Sequence, residues 1–134
     1  MGHPQDLWGG VKYLLDSSTI IKLTMAQSDS LRQRASSCSE DDLVTSAVAI
    51  AEVLYGSVNA KPPPIDQLEA FLEEVPVLDF DLAAARAYAK LPFRRASYDW
   101  LIAAHALSRG LIVVTDNVKH FAEMPGLVVE NWTV

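Results

Sequence analysis

Short uninterrupted apolar runs alternate along this chain with longer segments of helical period. Residues 11–15, apolar but for Lys12, and 111–114 show no alternation and are too short for helices, the pattern of strands covered on both faces. Residues 43–45, 77–80 and 127–129 are shorter runs of the same kind. Between them, residues 17–26 carry Ile20, Ile21 and Leu23 as one apolar stretch, predicting a helix against the first strand. SDSLRQRASSCSEDD reads as a polar, exposed helix and loop. Ser46 is placed to cap a helix that carries Glu52, with Gly56 loosening its end. The stiff KPPP segment then leads to Pro64, which suits the start of a helix bearing Ile65, Leu68, Phe71, Leu72 and Val75. Asp81 caps LAAARAYAKL, and Ser97 caps a helix containing Asp99. Strands separated by helices predict an α/β fold, a mostly parallel sheet of about five strands with right-handed crossovers.

Composition narrows what such a fold can do. A chain of 134 residues, half of them hydrophobic, is the size of one domain with a real core. Residues 1–10 are polar and contain Gly9-Gly10, so they are expected to be an N-terminal extension, with the domain spanning 11–134. Seventeen acidic against eleven basic side chains give a net charge of −6, which argues against holding nucleic acid through a broad basic surface. A nuclease is not excluded, because bound cations invert the local sign. Cys38 is the only cysteine, which suits a reducing compartment, and no apolar stretch reaches the ~20 residues that span a bilayer. A cytoplasmic protein with no membrane partner is expected.

Four acids stand where acids are costly. YLLDSS and IVVTDN each end an apolar run on a carboxylate, Asp16 and Asp116; Glu52 is the only charge in SAVAIAEVLYG; Asp99 opens the apolar helix YDWLIAAHAL. Isolated buried carboxylates are expensive and several together repel, penalties that a hard divalent cation with oxygen ligands relieves. Each acid also has a plainer reading. Asp16 can cap a helix, Asp99 can complement a helix dipole, and Asp116 with Asn117 can be turn chemistry. Glu52 is harder to explain, since its neighbours at helical spacing are Val48, Ala49, Tyr55 and Gly56 and offer no ion pair. In open parallel sheets the ligand crevice lies beyond the carboxyl ends of the strands, where Asp16 and Asp116 both fall. Carboxylates without His or Cys partners suit Mg²⁺ or Mn²⁺ rather than zinc.

Other chemistries find less support. His105 lies among alanines as a packed helix residue, His120 lies in a polar turn, Cys38 has no local His, and neither a G-x-S-x-G motif nor a Gly-rich phosphate loop is present. Lys90, Arg94 and Arg95, just before Asp99, read as positions for phosphate groups or as a solvated loop.

The blocks KYLLDSSTIIKL, SAVAIAEVLYG, YDWLIAAHALSRGLIVVTDNVKHF and MPGLVVENW, in this order and spacing, resemble PIN-domain proteins of the VapC type, the toxin half of bacterial toxin-antitoxin pairs. The resemblance implies a PIN-like three-layer sandwich and Mg²⁺-dependent RNA cleavage by metal-activated water. It implies that Asp16 and Asp99 are metal ligands, with Glu52 completing the acidic pocket. It also implies a VapB-type antitoxin partner, DNA contact only through that complex, and a homodimer, for which Leu31, Tyr55 and Val58 are apolar candidates. The chain departs from the family pattern in reading Asp16-Ser17-Ser18 where many members have Asp-Thr-Asn. The fourth acidic position can be Asp116, also a metal ligand, or Asn117, and the segment before Asp99 is shorter than in many members.

Two readings from other classes remain at this stage. A phosphorylation-controlled receiver domain is also a small α/β protein with acids at strand ends, and Thr115 and Lys119 invite it; strand one, however, ends in a single acid. A catalytically silent PIN module is the other.

Overall fold

A computed structural model of the protein describes residues 12–92 and 97–134. Among the described residues, five strands form one sheet: β1 (Tyr13–Leu15), β2 (Leu43–Ser46), β3 (Val77–Leu78), β4 (Ile112–Val114) and β5 (Val129–Glu130). Their order is β3-β2-β1-β4-β5 and every neighbouring pair is parallel. The helices are α1 (Ser17–Thr24), α2 (Asp29–Ser36), α3 (Ala47–Val58), α4 (Ile65–Glu74), α5 (Leu82–Ala89), α6 (Tyr98–Arg109) and α7 (Val118–Phe121), with a 3₁₀ turn at Glu40–Asp42. Strand order runs outward from β1 in both directions, so right-handed crossovers put helices on both faces of the sheet. The result is the expected α/β three-layer sandwich.

Capping chemistry explains where the helices begin. Asp16, Ser28, Ser46, Asp81 and Ser97 are the N-caps of α1, α2, α3, α5 and α6, and each side chain accepts a backbone N–H of the first turn. At the other end of α6, Gly110 takes φ +67°, a left-handed conformation open to glycine at no steric cost, and the chain turns into β4. Helix α3 continues through Gly56 to Val58 instead of loosening there. Its packing on α1, α4 and α6 supplies more than the single glycine removes.

The strands read as continuous apolar runs because both faces are covered: Leu14, Leu15 and Val113 are fully buried and Val114 is 1% exposed. Leu31, an apolar candidate for the homodimer surface, is instead fully buried and belongs to the core cluster. It is the single buried position of α2, so the polar composition around it hid a one-residue anchor. Sheet order also removes the receiver reading. Receiver domains follow the order 2-1-3-4-5, with the third strand central, whereas here the first strand is central.

Candidate active site

The site forms at the switch point between β1 and β4. Leu15 pairs with Val114, and the chain beyond each partner carries a carboxylate, Asp16 directly and Asp116 two residues on. The Asp16 N–H donates to Val114 O at 3.2 Å, which extends the ladder to the site itself. Asp16 is 1% exposed. Its Oδ1 accepts the Thr19 N–H at 2.9 Å, so Asp16 caps α1 as well as facing the crevice. Desolvation raises its pKa, opposed by hydrogen bonds from the Thr115 hydroxyl, the Thr19 amide and the Ser18 hydroxyl. Thr115 in turn accepts the Asn117 N–H at 2.9 Å, which ties the turn after β4 to the carboxylate of β1.

Glu52 comes from the middle of α3. Its Oε1 is buried without a hydrogen-bond partner among the described residues. Burial raises its pKa first, Ser17 lowers it by hydrogen bonding, and the charges of Asp99 and Asp16 raise it further. Asp16, Glu52 and Asp99 therefore share one pocket in the electrostatic sense. Asp99 reaches that pocket from the first turn of α6 and spends Oδ2 on His120 Nδ1 at 2.9 Å. Helix α7, expected as a polar turn, is what presents His120. Beside Asp99 a cavity of about 260 Å³ is lined by Ser97, Trp100, Lys119, His120 and Glu123.

Asp116 is held differently. Its Oδ2 makes an ion pair with Lys22 of α1, and its Oδ1 lies 2.8 Å from Ser18 Oγ. Desolvation raises its pKa, but the Lys22 hydrogen bond, the Ser18 hydroxyl and the Lys22 charge outweigh that and hold the carboxyl below its ordinary value. Ser18 Oγ is also 3.0 Å from Asp16 Oδ1, so the two strand-end acids share the single proton of one hydroxyl. Asn117 occupies the N-cap position of α7 without a side-chain capping bond and is exposed. Arg94 and Arg95 lie outside the described residues. Lys90 is an exposed C-cap of α5.

Lys22, Ser18 and His120 are the neighbours of these acids that sequence reasoning passed over. A signal for Lys22 was present: it is the only charge in SSTIIKLT, as Glu52 is in its own helix. His120 carried no such signal, since its contact with Asp99 depends on how α7 docks on α6.

An all-oxygen donor set with an unpartnered buried carboxylate oxygen fits a hard divalent cation better than it fits a folded protein without one. Among the described residues no group of three His, Cys, Asp or Glu side chains is gathered at ligating distance, and Asp99 and Asp116 each give one oxygen to a basic neighbour. The buried His105 is not part of this set. Its Nδ1 is 2.8 Å from Ser46 Oγ, its ring edges onto Phe80, and burial lowers its pKa, which makes it a packed neutral imidazole.

The chain is similar to known proteins in family, sequence and fold. The family model described as "PIN domain" matches residues 13–127. The tRNA(fMet)-specific endonuclease VapC of Salmonella typhimurium is 30% identical over 131 residues, covering 91% of this chain and 98% of that protein. Ribonuclease VapC2 of Rickettsia felis is 27% identical over 130 residues, 90% of this chain and 97% of that one. Among solved structures, VapBC2 from Rickettsia felis bound to a DNA fragment from its promoter aligns with TM-score 0.81 at 25% identity, covering 91% of this chain and 99% of that one. DNA-bound VapBC from Salmonella typhimurium gives 0.79 at 30% identity, covering 91% and 98%.

Proposed function

Because this chain belongs to the PIN domain family, we propose that it is a Mg²⁺-dependent ribonuclease of the VapC type, the toxin of a VapBC-type pair, with Mn²⁺ able to substitute. The observation that carries this reading is Glu52 Oε1, buried and unpartnered beside Asp16 and Asp99. A buried carboxylate oxygen left open among the described residues is what a site kept for a cation and an attacking water requires. The named activities of the similar VapC proteins support the same chemistry.

In this reading Asp16, Asp99 and Glu52 hold the ion, while Asp116 and Asn117 flank it at the end of β4. When bound, the ion supplies positive charge to the scissile phosphate and lowers the pKa of the water that attacks it. The chain supplies orientation. Thr115, Ser18 and the Thr19 amide fix the Asp16 carboxylate, Ser17 holds one side of Glu52, and His120 holds Asp99. Lys119 and His120 put basic groups on the cavity beside Asp99, where an RNA phosphate would enter. Arg94 and Arg95, whose sequence position immediately precedes α6, are proposed as further phosphate contacts.

The partners follow from the same reading. The similar solved structures named above are VapBC complexes bound to DNA. A VapB-type antitoxin is proposed to bind this chain and to carry the DNA contact, consistent with the net charge of −6. A homodimer is proposed through α3, where Tyr55 is 72% and Val58 64% exposed. Incubating the purified chain with RNA, with and without Mg²⁺ and then with a chelator, tests the central claim. Cleavage that persists in excess chelator would overturn the metal dependence, and a phosphodiesterase assay that shows no RNA cleavage with Mg²⁺ or Mn²⁺ would leave the silent PIN module.

A further inference from the structure

The fourth acid of the pocket already has a cation. Asp116 spends Oδ2 on the Lys22 ammonium and Oδ1 on the Ser18 hydroxyl, so both of its oxygens are engaged. Ser18 and Lys22 are four residues apart on α1, which puts them on one helix face, and that face meets the carboxyl end of β4. The Lys22 side chain is 34% exposed and that of Asp116 21%, so the pair sits at the mouth of the pocket instead of in free solvent. Among the described residues, Asp16 and Glu52, deeper in, have no such cation.

The electrostatics divide along the same line. The carboxyl groups of Asp16 and Glu52 are raised by burial, whereas Asp116 is lowered by its basic neighbour. Among the described residues, Asp16 and Glu52 lack a countercharge whereas Asp116 carries its own. A second divalent ion at Asp116 would have to displace Lys22 or sit beside its ammonium, and like charges at that separation oppose it.

We infer that Lys22 is a resident cation of the fourth acidic position, standing where a second metal ion would otherwise bind, so that the pocket of Asp16, Glu52 and Asp99 takes one divalent ion. This rests on the divalent-cation reading proposed above. Lys22 is thereby a positioning residue: it neutralises and fixes Asp116, which leaves the Ser18 hydroxyl proton available to the acid of β1. An Arg could play this part and an uncharged side chain could not.

Mn²⁺ titration of the metal-free full chain, with bound ion counted by calorimetry and by electron paramagnetic resonance, reads the stoichiometry directly. The wild type is expected to bind one Mn²⁺ per chain and Lys22→Arg also one. Lys22→Met is expected to bind two, the second within about tenfold of the first in affinity. Combining Lys22→Met with Asp116→Asn is expected to return the count to one, since the new ion needs that carboxylate. Two ions on the wild type, or a single ion on a folded Lys22→Met protein, would overturn the inference. Absence of Mn²⁺ binding in the wild type would instead overturn the cation reading itself, and this inference with it.

Discussion

His120 on α7 holds Asp99 on α6 through a 2.9 Å contact between Nδ1 and Oδ2. The imidazole is well exposed and the carboxylate less so, with side-chain exposures of 62% and 24%. A cation entering the pocket must share Asp99 with this ring. The contact is therefore a competitor to ion binding as well as an orienting bond. His120→Ala is expected to lower the apparent Mn²⁺ dissociation constant severalfold in calorimetry while changing thermal stability little, since exposed pairs contribute only ~0–1 kcal/mol. An unchanged or weakened affinity would mean that orientation dominates.

Substituting the ligands separates binding from folding. Asp16→Asn and Asp99→Asn are each expected to abolish RNA cleavage while leaving the metal-free fold intact or more stable, because losing a carboxylate relieves repulsion in the empty pocket. Cleavage at wild-type rate by either variant would displace the proposed site. Asp116→Asn is expected to cost less than Asp16→Asn, because its carboxylate already answers Lys22. Gel assays of RNA cleavage alongside thermal melts provide both readouts.

The raised acids give stability a definite pH slope. The Asp16 and Glu52 carboxyl groups hold their protons more tightly when folded than the ordinary values of 3.8 and 4.5, so the native state binds more protons than the unfolded one above that range. Stability of the metal-free protein therefore falls as pH rises through the window from those values up to the raised ones. Asp116 has the opposite sign and loses its contribution as pH falls below its ordinary value of 3.8. Denaturant melts without Mg²⁺ are expected to show a decline in stability above about pH 4.5. Glu52→Gln should flatten this decline and saturating Mg²⁺ should reverse it. A stability that rises steadily across the same window would contradict the burial of these two groups.

Much of this arrangement was legible in the chain, and what was hidden has a physical reason. Asp16, Glu52 and Asp99 were visible because a charge in an apolar context is conspicuous, and the strand-end rule placed Asp16 and Asp116 on one rim before any coordinates. Capping serines and aspartates fixed the starts of α3, α5 and α6 for the same local reason. Leu31 was misread because a single buried side chain on a polar helix has no periodicity to reveal it. Helix α7 has only four residues, below the length at which helical period can be recognised. Long-range pairs such as Lys22 with Asp116 and His120 with Asp99 depend on tertiary docking, which no local pattern encodes.

One buried hydroxyl couples the helix bearing Glu52 to the core. Ser46 caps α3 by accepting the Val48 N–H at 3.0 Å, and its Oγ lies 2.8 Å from Nδ1 of the fully buried His105. Ser46→Ala removes the cap and also strands a buried imidazole nitrogen, two losses of about 1 kcal/mol or more each. A destabilisation of roughly 2–3 kcal/mol is expected in denaturant melts. A loss below about 0.5 kcal/mol would show that the capping bond is replaced by water.

The acidic pocket also predicts how it can be silenced. Among the described residues, Asp16, Glu52 and Asp99 present oxygen acceptors with no countercharge beyond His120, so a basic side chain from a partner can take the place of the ion. Arg suits this better than Lys, since its guanidinium pairs with carboxylates in a bidentate fork and tolerates desolvation. The antitoxin proposed here is therefore expected to insert an Arg into this pocket while its apolar residues fill a neighbouring groove. Replacing that Arg with Ala should weaken inhibition of RNA cleavage more than it weakens complex formation, because the apolar contacts persist. The isolated chain should show no specific binding to its own promoter, and the complex should bind it. Specific promoter binding by the isolated chain, or RNA cleavage undiminished by the co-expressed neighbouring protein, would replace the toxin reading with that of a free-standing nuclease or a regulator.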